Sequence, residues 1–212
     1  LLKITPRKQF DSPVLLDSKD INCEDQIGEE KDFHNDKNKN NAYLYCDKNN
    51  NKGTILMHDC KYSNIYMDGS IWQKHYSYFI MVYETNLDIR RSSFITTHGW
   101  NYLISIETAS SVDFLLDENI FIDHKTYDSA KASVIHSEAR LNDFKNNQII
   151  NCQSQAFDFT HYTGCILTNN TIKNAHHIEK SALHFDGKGS SADYLHITNC
   201  AFIDCTGEDK PT

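Results

Sequence analysis

Six hydrophobic residues, Trp72, Phe94, Phe121, Ile149, Ile172 and Phe202, share one frame in which positions five and seven residues upstream are also apolar. Met67 and Ile65 fill it for Trp72, Ile89 and Leu87 for Phe94, and Leu116 and Phe114 for Phe121. Phe144 and Asn142 fill it for Ile149, Leu167 and Cys165 for Ile172, and Ile197 and Leu195 for Phe202; only Asn142 is frankly polar. The six anchors are separated by 22, 27, 28, 23 and 30 residues. Fixed spacing inside a variable total implies rigid strands joined by turns that accept insertions.

Each interval holds a third apolar piece ahead of the frame: ILMHD (55–59), FIMVYE (79–84), LISIE (103–107), SVIHS (133–137), AFDFT (156–160) and ALHFD (182–186). Three short alternating strands per repeat of about 26 residues exclude a helical solenoid, which needs a sustained 3.6 period, and a propeller blade, which needs about 40 residues. The spacing predicts an all-β fold, a parallel β-helix of three strands per coil and six regular coils over residues 53–205. Successive coils then lie one strand spacing apart, about 4.8 Å. Residues 1–52 fall outside the frame and read as an irregular segment that caps or covers the coils, with LLKIT, SPVLL and AYLYC (42–46) as strands. Residues 206–212 read as a tail or the start of a further coil.

The polar positions follow from the same frame. Two residues after each anchor come Thr96, Asp123, Asn151, Asn174 and Asp204. Stacked at a turn, such short side chains bond turn backbone and each other, so the spacing predicts a structural turn ladder. The residue directly after each anchor points outward by strand alternation. That column reads Ile95, Ile122, Ile150, Lys173 and Ile203, an apolar row marking an interface candidate with a gap at Lys173. Val14-Leu15-Leu16 or another chain is the expected cover.

Phrases such as ITNCAFIDC (197–205) and NNTIKNA (169–175) with SALHFDG (181–187) resemble right-handed parallel β-helix repeat proteins of the broad pectate-lyase-like superfamily. In detail they are similar to the surface β-helix repeats of protozoan parasites and to chlamydial polymorphic membrane proteins, without the GGAI tetrapeptide of the latter. The resemblance, not the spacing, implies right-handedness and a surface or secreted location. A composition rich in Asn, Lys, Ile and Tyr fits a protist origin.

The enzymes of that superfamily imply sites that do not carry over. There is no Asp-Asp pair and no Gly-His-Gly, the nearest echo being Thr97-His98-Gly99, and no acidic trio aligns with the four Arg. The one acid–base candidate is Asp158 with His184, one coil apart at the middle of AFDF and ALHF. Ladder neighbours of opposite charge are ordinarily surface pairs. His176-His177 beside Glu179 reads as a solvated loop rather than a metal site, and no cofactor is expected. Seven Cys at irregular spacing without a CxxC form neither a zinc knuckle nor a disulfide framework; Cys152 and Cys205 share a column two coils apart, too far for a bridge. Asn169-Asn170-Thr171 is a glycosylation sequon.

A net charge of −8 argues against nucleic acid, and no run approaches the 18 or so apolar residues of a membrane span. The chain reads as a segment of something longer. The expected function is a non-enzymatic β-helix segment of a larger surface or assembly protein, with a protein or glycan partner or further chains of an assembly. One alternative is a glycan-active lyase or hydrolase with its cleft in loops 123–132 and 186–193; another is an intracellular component of a multi-protein lattice.

Overall fold

The structure, a computed structural model, describes residues 2–4, 14–17, 41–46, 54–66, 77–83, 85–99, 102–107, 111–126, 133–177 and 181–207. Among them there are strands and turns and no helix. Numbered along the chain, the first sheet (A) comprises β1 (Leu2–Ile4), β3 (Asn41–Cys46), β6 (Ser77–Tyr83), β9 (Tyr102–Glu107), β12 (Ser133–Ser137), β15 (Gln155–Tyr162) and β18 (Leu183–Gly187). Sheet B holds β2 (Val14–Asp17), β4 (Thr54–His58), β7 (Asn86–Arg90), β10 (Asp113–Asp117), β13 (Leu141–Lys145), β16 (Gly164–Thr168) and β19 (Tyr194–Thr198). Sheet C holds β5 (Lys61–Tyr66), β8 (Ser93–Gly99), β11 (Ile120–Thr126), β14 (Gln148–Cys152), β17 (Thr171–His177) and β20 (Ala201–Ile203). Every pairing within the sheets is parallel, and the chain visits A, B and C in turn. Parallel neighbours require a long crossover; each coil supplies it with its two other strands. The molecule is a parallel β-helix.

The core is the space the three sheets enclose. Phe94, Phe121, Ile149 and Ile172 lie opposite one another along sheet C and are buried. The rings of Phe94 and Phe121 stack at 4.9 Å and 4°. Ile89, Leu116, Phe144 and Leu167 form the facing column of sheet B, and Phe144 meets Phe157 and Phe159 of sheet A edge-on at 5.6 and 5.1 Å. Removing each such side chain from water is worth about 1.5–3 kcal/mol. Asn142, the polar member of the frame, is buried and donates from Nδ2 to the Ala139 carbonyl at 3.4 Å.

Three expectations are corrected. First, Tyr62, not Trp72, pairs with Phe94, and Ile55 and Met57 pair with Leu87 and Ile89. That coil is 32 residues long; Ile65 lies on β5 and pairs with Thr97, and Met67 and Trp72 match the frame by sequence spacing alone. Trp72 lies outside the described residues. Second, ILMHD is therefore a sheet B strand, and AYLYC takes the sheet A position in its coil. Third, of the six coils expected, about four turns, β6–β8 to β15–β17, are enclosed by a neighbouring coil on both sides in all three sheets. Of the five anchors among the described residues, four are enclosed, and Phe202 lies on the outermost described coil with 39% of its surface exposed.

One spacing is invariant. From the sheet B column to the anchor in sheet C the chain always takes seven residues, as in Ile55–Tyr62, Leu87–Phe94, Phe114–Phe121 and Cys165–Ile172. From anchor to the next sheet A strand the count varies, being eight from Ile149 to Phe157 and fourteen from Phe121 to Ile135.

Candidate functional site

The invariant corner between sheets B and C explains the recurring Asn-Asn of NNQII and NNTI. Its first residue is Asp59, Arg91, Glu118, Asn146, Asn169 or Asn199, each at a left-handed φ of 49–58°. Asn and Asp tolerate that region better than other non-glycine residues. The next residue turns inward, giving a column of Cys60, Ser92, Asn119, Asn147, Asn170 and Cys200. The buried asparagines form a continuous ladder. The backbone N–H groups of Ser92, Asn119 and Asn147 donate to Oδ1 of the Asn one coil on, at 2.9, 3.0 and 3.0 Å. Nδ2 of Asn119, Asn147 and Asn170 donates to the carbonyls of Ile89, Leu116 and Phe144 at 2.8, 3.0 and 2.8 Å. Sequence reasoning missed this column because its members differ in type, although the doubled Asn was its signal.

The residues two after each anchor, Thr96, Asp123, Asn151, Asn174 and Asp204, occupy a second left-handed corner with φ of 51–57°. Asn174 Nδ2 donates to Asn151 Oδ1 at 2.8 Å, and Asn151 Nδ2 to Asp123 Oδ1 at 3.0 Å, both at the surface. Two polar ladders thus flank sheet C and hold its coils in register.

Between them, Ile95, Ile122, Ile150, Lys173 and Ile203 are direct neighbours on five strands. Ile95 is 37% and Ile203 42% exposed, while Ile122 and Ile150 are half-buried. Ile120, at 36%, widens the row on the same face. Val14, Leu15 and Leu16 do not lie over this column: they pair with Ile55, Leu56 and Met57 at the edge of sheet B.

A second cluster stands on sheet A. Asp158 faces His136 on one side and His184 on the other. Its Oδ2 lies 3.1 Å from His136 Nδ1 and its Oδ1 2.8 Å from His184 Nδ1. The Tyr102 ring stacks on His136 at 4.5 Å and 14°. Burial alone would raise the Asp158 carboxyl, but hydrogen bonds and charge from His136, and then from His184, outweigh it and hold the group at about 2. A carboxylate on Nδ1 orients each imidazole. His184 is half exposed; His136 is buried. The sequence reading named Asp158 and His184 and missed His136, whose strand SVIHS was already aligned with AFDFT.

Among the described residues no group of three or more His, Cys, Asp or Glu side chains is placed to hold a metal ion. His176 and His177 lie on strand β17 rather than in a loop, with His177 buried and the His176 ring bonded to Thr206 Oγ1. The Cys152 thiol is pushed up to about 12 by burial and then by Cys205, and burial likewise raises that of Cys165. Such thiols are inert packing. Of the loops expected to form a cleft, 127–132 lies outside the described residues, and 123–126 belongs to β11. No described helix is long and apolar enough to cross a membrane. No protein-family model matches the chain, and neither curated proteins nor solved structures yield a match.

Proposed function

We propose that the chain is a non-enzymatic β-helical segment of a larger surface or assembly protein, whose outer face on sheet C binds a protein or glycan partner. The observation that carries this reading is the isoleucine row. Four isoleucines recur in one outward column on a sheet whose two borders are pinned by side-chain ladders. A rigid apolar strip keeps little conformational entropy to lose on binding, and such strips commonly mark interfaces. The resemblance to surface β-helix repeats supports the same reading from the sequence side.

A second reading, a glycan-active enzyme, draws on Asp158 and His184, where an oriented imidazole meets solvent. Glycan-array binding and turnover of acidic polysaccharides, run on the wild type, Ile122→Lys and Asp158→Asn, separate the two. Binding without turnover that is lost in Ile122→Lys and kept in Asp158→Asn is expected. Turnover abolished by Asp158→Asn would refute the binding reading.

A further inference from the structure

The chain contains a single Asn-x-Ser/Thr triplet, Asn169-Asn170-Thr171. Such a triplet accepts an N-linked glycan where the asparagine is reachable and the sugar has room. The fold gives its three residues three different environments. Asn169 opens the corner between β16 and β17, exposed and at a left-handed φ of 56°. Asn170 turns inward and belongs to the buried ladder. Thr171 begins β17 and is half-buried. Both strands are paired on either side, β16 with β13 and β19, and β17 with β14 and β20. Asn169 thus belongs to an enclosed coil and meets solvent at the corner alone.

That corner has room for bulk. Its column of Asp59, Arg91, Glu118, Asn146, Asn169 and Asn199 is exposed throughout and holds side chains from carboxylate to guanidinium. A substituent there extends into water and meets no core. The acceptor atom also has a hydrogen to give. Asn169 Nδ2 donates to Asn146 Oδ1 at 3.2 Å, and Asn146 Nδ2 donates in turn to Asp117 Oδ1 at 2.9 Å. A side-chain amide carries two hydrogens. A glycosidic bond replaces one and leaves the other for Asn146, so the surface chain of amides survives the modification.

The isoleucine row breaks in the same coil. Along Ile95, Ile122, Ile150, Lys173 and Ile203 the outward residue changes once, to the exposed Lys173, on the strand that Asn169 leads into. A sugar rooted at that corner makes the outer surface of β17 hydrophilic, and a lysine suits such surroundings better than an isoleucine.

We infer that Asn169 carries an N-linked glycan, placed at the border of sheet C beside the gap in the row. The inference rests on the surface reading, because this modification is made on chains entering the secretory route. In the transfer, Asn169 Nδ2 bonds to the anomeric carbon of an oligosaccharide held on a lipid pyrophosphate. The bond from that carbon to the pyrophosphate oxygen breaks, the carrier leaves with the electron pair, and Nδ2 releases one proton.

The test directs the full chain into the endoplasmic reticulum of eukaryotic cells and recovers both secreted and cell-associated protein. Trypsin releases residues 146–173 as one peptide, and amidase removal of the glycan in heavy-oxygen water labels the acceptor. Label at 169 is expected in the wild type, lost in Thr171→Ala and kept in Thr171→Ser. Gln148→Thr completes a triplet on Asn146 at the equivalent corner and should add a second labelled site; no label there would contradict the role given to the corner. A wild type without label at 169 overturns the inference, while the Ile122→Lys comparison still decides the binding face. The same peptide from the protein's own cells should also carry the label. Label in the directed chain but none in the native protein overturns the inference through location, and the surface reading falls with it.

Discussion

Asn147→Ala is the most direct trial of the buried ladder. Asn147 is 2% exposed and its side chain serves four bonds. Oδ1 accepts from the Asn119 backbone N–H and from Asn119 Nδ2, each at 3.0 Å. Nδ2 donates to the Leu116 carbonyl and to Asn170 Oδ1, also at 3.0 Å. Truncation leaves Asn119 Nδ2 with Ile89 and Asn170 Oδ1 with the Asn147 N–H, so both keep a partner. The Asn119 N–H and the Leu116 carbonyl each lose a bond in a dry interior, at about 1–3 kcal/mol apiece. The expected loss is therefore about 2–6 kcal/mol, a large share of the roughly 5–15 kcal/mol that holds an ordinary domain together. Urea unfolding followed by circular dichroism reads it, with Asn151→Gly as control. That residue is exposed and left-handed, so Gly removes two surface bonds and relieves the backbone, for a change below about 1 kcal/mol. Asn147→Ala within about 0.5 kcal/mol of the wild type would show that the ladder accompanies the fold without holding it.

Phe121→Ala, which empties a buried site stacked on Phe94, should cost about 3–5 kcal/mol in the same denaturation assay. Thr96→Asn should gain about 1 kcal/mol, because a β-branched residue at φ 53° gives way to one that tolerates the left-handed region; a lowered urea midpoint would contradict this. Asp158, held near 2 against an ordinary 3.8, is depressed in the fold, so its contribution is present above about pH 4 and lost as pH falls towards 2. That contribution is about 2 kcal/mol, and Asp158→Asn should flatten the acid limb of a stability–pH profile while lowering stability at pH 7.

The legible part of this fold was the part governed by period. Anchors and their upstream partners must be apolar in every coil, so Phe94, Phe121, Ile149 and Ile172 announced themselves, and strand alternation then placed Ile95, Ile122 and Ile150 in one row. The first coil was misframed because alternating apolar residues read alike wherever they fall; the partner of Phe94 in that coil is Tyr62, and a sequence does not print pairing. The inner ladder was hidden for another reason. Hydrogen bonding to backbone needs only a small polar group, so Ser92 and Asn119 serve equally and no residue type repeats throughout. His136 escaped notice because it is polar on a strand buried along its whole length, and its partner lies 22 residues away.

The constant seven-residue step from sheet B to sheet C sets where such a chain is free to evolve. An insertion between Leu167 and Ile172 would throw the core column, both corners and the outer row out of line at once. The same insertion beside sheet A shifts nothing already stacked, as the fourteen-residue passage from Phe121 to Ile135 shows beside the eight-residue one from Ile149 to Phe157. The coils are bound along one spine and open along the other margin, so new loops, grafted epitopes or protease sites belong next to sheet A, where length is heritable variation rather than damage.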